Sequence, residues 1–283
     1  MLGLGMHPLL RLEQTAVWDP DEGEYYEAYD RLFNIQQHGW LNIQALQINL
    51  SYRNSKDLVS QYNRIRSLIP YLIAITVLSP FVEGKLTGSM DNRLLYYSEN
   101  QKEIPQVCHG IIPDPFKTLN DYHAMQEEIF IELRTRDAGI LYEEWLNSSG
   151  EIIRFSRTCL EIKAPDEQEC IRSDMAVCAF VRSLLRCRTL PVETDQAALL
   201  ALTDRAIRDG TGGMKPELEK LYDAAWKHAT VDERQYLPVI RQRICHGSLA
   251  ELMRNRYKKD TEFLPILSDM ATSLQKNQPY GQG

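Results

Sequence analysis

Residues 45–52, ALQINLSY, alternate apolar and polar side chains over their whole length. Successive side chains of a strand point to opposite faces, so Leu46, Ile48, Leu50 and Tyr52 share one side. Ala45, Gln47, Asn49 and Ser51 share the other. Most surface strands carry Lys, Glu or Thr on the wet face, whereas this one aligns two amides and a hydroxyl. Read alone, it is a solvated edge strand or one wall of a polar site.

A second alternating stretch, 151–164 (EIIRFSRTCLEIKA), places Phe155, Arg157, Cys159, Glu161 and Lys163 on one face. Between the two, Asn54 or Ser55 is placed to cap a helix with Asp57 in its first turn. Leu58, Tyr62, Ile65, Ile69 and Leu72 follow helical spacing, and Pro70 predicts a kink before a stop at Ser79-Pro80. Residues 81–115 read as a long ordered binding loop, with Gly84, Gly88, Tyr96 and Tyr97 as its markers and His109 as a weak ligand candidate. Helices are expected at about 22–37 and 118–136. Asp166 is expected to cap another, with an inward stripe of Ile171, Met175, Cys178, Val181 and Leu185. Beyond Pro191 the chain reads as almost wholly helical, broken at 210–213 and 245–248, with a frayed tail. This order predicts an α+β fold, an antiparallel sheet backed by helices, and contains no GxGxxG or P-loop. Residues 1–190 are expected to form the main, sheet-containing part and 191–283 a helical C-terminal part of the same domain.

Composition narrows the function classes. The 283 residues carry a formal net charge of −7, with 43% hydrophobic and 25% charged residues. That balance fits an ordinary globular protein and gives no electrostatic support to nucleic-acid or membrane-surface binding. The longest apolar run, 68–81, is too short for a bilayer and holds two prolines. The first residues, MLGLGMHPLLRLEQ, make a poor signal peptide. Six cysteines without a CxxC pair predict reduced thiols in a cytoplasmic protein and no zinc site.

Six segments, taken in order, resemble the glutamate–cysteine ligase superfamily, which includes the carboxylate–amine ligases and the plant and proteobacterial glutamate–cysteine ligases. LGLGMHP (2–8) looks like its Gly-x-x-Pro segment, and LQINL (46–50) is similar to its V-Q-V-N-L strand. SPFVEGKLTGSMDNR (79–93) closely matches its S-P-F-x-E-G-K…R pattern and is the most specific piece. CLEIKAPD (159–166) is similar to its L-E-x-R-x-x-D, and AIRDG (206–210) with HGSLAELM (246–253) echoes its helical part.

The resemblance implies a glutamine-synthetase-like catalytic domain. It also implies ATP- and Mg²⁺-dependent joining of a carboxylate to an amine through an acyl phosphate, with amino acids as substrates. It makes Glu161 a Mg²⁺ ligand assisted by the amides of Gln47 and Asn49, and sends Lys163 and Arg157 to phosphates or substrate. Arg93 is expected to bind a substrate carboxylate as a bidentate pair, and Glu83 and Lys85 to cover the site. Two departures stand out. The family begins with a strand of closely spaced glutamates, and this sequence starts downstream of it; Asp19 to Glu24 is no displaced copy. Lys163 also stands where the family usually has Arg. These departures predict either a second copy or a partner chain over an unpaired sheet edge, and they raise the alternative of a catalytically incomplete binding subunit.

Overall fold

A computed structural model describes residues 2–17, 23–108 and 110–281. The first half contains α1 (Gly23–Phe33), α2 (His38–Leu41), β1 (Ile48–Ser51), α3 (Ser55–Thr76), β2 (Phe81–Val82), β3 (Lys85–Leu86), α4 (Asn92–Glu99) and α5 (Leu119–Thr135). Then come β4 (Glu151–Arg154), β5 (Cys159–Ile162), α6 (Ile171–Arg186), α7 (Gln196–Asp209) and α8 (Lys215–His228). The chain closes with α9 (Val231–Arg234), α10 (Leu237–His246), α11 (Leu249–Asp260) and α12 (Leu264–Lys276). The result is α+β, with a helical C-terminal region as the periodicity predicted.

The main sheet is antiparallel, in the order β1-β5-β4. Its register pairs Asn49 with Glu161 and Leu50 with Leu160 across β1 and β5, and Ile153 with Leu160 across β4 and β5. Directly paired residues share a face. Ile48, Leu50, Ile153, Leu160 and Ile162 therefore turn together into the core, and α3 and α6 pack behind them. Each such side chain contributes roughly 1.5–3 kcal/mol by leaving water. The opposite face is left to Gln47, Asn49, Glu161, Lys163 and Arg154.

α3 explains how this face stays in place. Asn54 Oδ1 accepts from the Asp57 N–H at 3.0 Å, satisfying a donor the first turn cannot pair internally. Every residue from Ile65 to Thr76 is buried, and the helix runs through Pro70 to Thr76. Gly210 and Gly247 end α7 and α10 with φ of +64° and +101°, where the sequence placed its breaks.

Several expectations are corrected. Residues 151–164 do not form one strand. A 3-10 turn at Phe155–Arg157 and a left-handed Thr158 fold them into the β4–β5 hairpin, and Phe155 leaves the polar face to pack on Tyr122 and His123. Residues 81–115 are not a long loop but hold the β2–β3 hairpin and α4. Asp166 caps no helix, because α6 starts after Cys170 without a side-chain cap. Its inward stripe is Ala176, Val177, Phe180, Val181 and Leu184, while Ile171 and Met175 are exposed. The first helix stops at Phe33, since Asn34 takes a φ of +53°. The tail is anchored up to Tyr280, whose N–H donates to the buried Glu169 at 3.1 Å. Asp19 through Glu22 and His109 lie outside the described residues.

Candidate active site

The polar face of β1 and β5 opens into a cavity of about 260 Å³ lined by Gln47, Glu161, Lys163, Arg154 and Arg157. Its walls are aromatic: Trp40 stacks on Tyr29 at 4.1 Å between centroids, with Tyr97 and Trp145 completing the lining. A second hollow of about 440 Å³ shares Tyr29, Trp40, Trp145, Arg154 and Arg157 and adds Tyr25 and Tyr26. Joined, the two have the dimensions of a small-molecule site.

Glu161 is the buried carboxylate of this cavity. Its Oε2 lies 3.3 Å from Arg154 Nη1 and 3.7 Å from Arg157 Nη1. Arg154 also faces Glu144 at 3.5 Å, and Glu144 accepts from Ser156 Oγ at 2.7 Å, which ties down the hairpin turn. Lys163 is nine-tenths buried; its Nζ donates to the Asn147 carbonyl at 3.1 Å and sits 5.9 Å from the Tyr97 ring centroid. Gln47 lines the same cavity just before β1. Asn49, directly opposite Glu161, lines the neighbouring groove and accepts a weak hydrogen bond from the Cys159 thiol at 3.0 Å. Burial first, then the charge of Glu161, pushes the Cys159 thiol up from its usual range, which disfavours a thiolate nucleophile.

Besides Asn49, which was expected to assist Glu161 at the metal, three predicted residues lie outside this cavity. Arg93 is completely buried and does not line the cavity. Its Nε pairs with Asp166, its Nη2 donates to the Ala164 carbonyl, and its Nη1 reaches the Lys163 carbonyl at 3.4 Å. The guanidinium expected to clasp a substrate carboxylate thus clasps an internal one and holds the backbone that carries Lys163. Asp166 also accepts from Leu78 N–H at 2.7 Å and Ser79 Oγ at 3.1 Å. A Cβ on Gly5 would fall 2.2 Å from its carboxyl, so the early glycine segment needs that close approach. Glu83 and Gly84 form the two-residue turn of a tight hairpin, both with positive φ as a type I′ turn requires, and Lys85 opens its second strand. The Gly84 N–H donates to the Pro8 carbonyl, so the hairpin docks on the N-terminal segment instead of covering the cavity. Glu83 bonds His38 at 3.1 Å, and His38 opens α2, which carries Trp40.

Tyr97 was marked in the sequence as part of a binding segment, whereas Arg154, the other aromatic walls and Asp91 were not. Asp91 caps α4 through Leu94 N–H at 2.8 Å and is fully enclosed near Asp166. Burial, then the charge of Asp166, pushes its carboxyl up to about 8. The unfolded value is near 4, so the native state holds a proton that the unfolded chain releases between about pH 4 and 8. The stability it contributes is complete below that window and lost as pH rises through 8. Thermal melts should therefore show Tm falling from pH 5 to pH 9, with a shallower fall in Asp91→Asn, which keeps the capping oxygen. An unchanged slope in the variant would contradict the assignment.

The donor set fits Mg²⁺ in one specific way. Among the described residues no three His, Cys, Asp or Glu side chains gather as a metal cage. Mg²⁺ commonly uses one or two carboxylates and completes its shell with phosphates and water. Glu161, whose guanidinium contacts both fall on Oε2, and the amide of Gln47 meet that minimal requirement.

The sheet-walled cavity thus sets one carboxylate, Glu161, among three cations, Arg154, Arg157 and Lys163. The family model described as Glutamate-cysteine ligase family 2 (GCS2) matches residues 1–267, and the chain belongs to that family. An Archaeoglobus fulgidus protein described only as uncharacterized is 45% identical over 284 residues, 99% of this chain and 76% of that protein. A Rubrobacter xylanophilus protein named "Putative glutamate--cysteine ligase 2-2" is 25% identical over 122 residues, 42% of this chain and 28% of its own length. Among the described residues no helix is long and apolar enough to cross a membrane.

Proposed function

We propose that the cavity is the active site of an ATP-dependent carboxylate–amine ligase, joining the γ-carboxylate of glutamate to an amine such as that of cysteine. The observation that carries this reading is the meeting of Gln47, Glu161, Lys163 and Arg157 around one cavity in a member of this family. A carboxylate is a poor electrophile. Its oxygen attacks the γ-phosphorus of ATP and ADP departs; the amine nitrogen then attacks the acyl carbon, loses a proton, and expels phosphate carrying the former carboxylate oxygen.

Bringing a carboxylate against a triphosphate needs offsetting charge. Lys163 and Arg157 supply it, Lys163 from a fixed position and Arg157 from a largely exposed one. Arg154 stays between Glu144 and Glu161 and sets the orientation of both. Glu161 and Gln47 would hold Mg²⁺, which when bound screens the phosphates and polarises the transferred group. Arg93 positions Lys163 through its backbone. The chain expected at the sheet edge belongs to the same reading, since β1 has no strand outside it among the described residues.

The test is phosphate release from ATP that requires both glutamate and an amine. No release with any amino-acid pair would remove the ligase reading. One observation favours a second reading, a binding subunit of the same fold: Glu161 already faces two guanidiniums. Calorimetry showing nucleotide binding without turnover selects that alternative.

A further inference from the structure

Gln101 follows the end of α4, lines the cavity with Lys163 and Glu161, and is 3% exposed. Its Nε2 donates to the Tyr29 hydroxyl and to Ser148 Oγ, the latter at 2.8 Å. Ser148 Oγ in turn donates to the Leu146 carbonyl at 3.2 Å. Both Nε2 protons are spent, and Oε1 is left without a donor among the described residues. A buried carbonyl oxygen without a partner carries a desolvation cost, which a donor on a ligand in this cavity would offset.

The surroundings specify the donor. Tyr29, Trp40 and Tyr97 line the same cavity with their rings, and Glu161 adds a negative charge. Ring faces and a carboxylate both attract an ammonium group. Lys163 and Arg157 leave the opposite preference for the anionic end of the same molecule. We infer that Gln101 reads the α-ammonium of the amino-acid substrate, its Oε1 accepting one N–H and thereby separating α-amino acids from simple carboxylic acids. This deepens the ligase reading and rests on it.

Calorimetry on the full chain tests the inference with two probes, L-glutamate and glutarate, which differ by the nitrogen. The wild type is expected to bind glutamate at least about tenfold more tightly. Gln101→Met should erase that ratio while leaving glutarate affinity within about twofold, with thermal melts checking the fold. Gln101→Glu, which keeps an acceptor and adds charge, should preserve or enlarge the ratio, and it supplies the readout if the Met variant does not fold. An equal ratio in wild type and Gln101→Met overturns the inference, as does a ratio that collapses in Gln101→Glu, or a wild type that binds neither probe. The ligase reading fails separately: glutamate preference that depends on Gln101 without ATP turnover would leave this inference standing and remove the ligase.

Discussion

Glu161→Gln is expected to reduce amine-dependent phosphate release by at least about a hundredfold, the scale seen when a preorganised charge is removed from a transition state. The substitution keeps the shape and removes the anionic oxygens that would hold the metal. It should leave the fold intact. Arg154 keeps Glu144 at 3.5 Å, and Arg157 is 59% exposed and can turn to water. Melting curves that match the wild type, with turnover lost, separate chemistry from stability. Turnover within about threefold of wild type would show that Glu161 is only a partner for two arginines.

Arg93→Met should have the opposite signature. Breaking a buried ion pair by removing one partner costs about 3–5 kcal/mol, because the other charge stays behind without compensation. Asp166 has no exposure to water, and the Lys163 and Ala164 carbonyls also lose a donor. For a chain of this size the corresponding drop in Tm is about 6–20 °C. Adding Asp166→Asn should recover part of the loss, since the stranded charge is then gone. A variant that melts like the wild type but binds glutamate poorly would return Arg93 to the substrate.

These two residues show what the sequence made legible. Asn49 and Glu161 sit on alternating stretches, and alternation alone places them on polar faces; the antiparallel register then brings them opposite one another. The capping of α3 by Asn54 and the breaks at Gly210 and Gly247 were equally local. Arg93 lay in the most specific motif, yet a motif identifies a residue without stating whether its partner is a ligand or Asp166. That depends on how the chain folds between two residues 73 positions apart. The β4–β5 turn was hidden because its left-handed residue is Thr158, not the glycine that would have marked it. The aromatic walls were hidden for another reason. Tyr29, Trp40, Tyr97 and Trp145 come from four separate segments, and no periodicity connects them. Gln101 could have been flagged only by its hydrogen-bond accounting, which needs coordinates.

The proposed ligase would activate a carboxylate by phosphoryl transfer on the face shared by β1 and β5. Its most direct test is turnover with ATP and glutamate labelled with ¹⁸O in the γ-carboxylate, in the presence of an amine. An acyl phosphate requires one labelled oxygen to leave in the inorganic phosphate for each amide formed, and mass spectrometry of the phosphate should show it. Unlabelled phosphate accompanying amide formation would contradict the account.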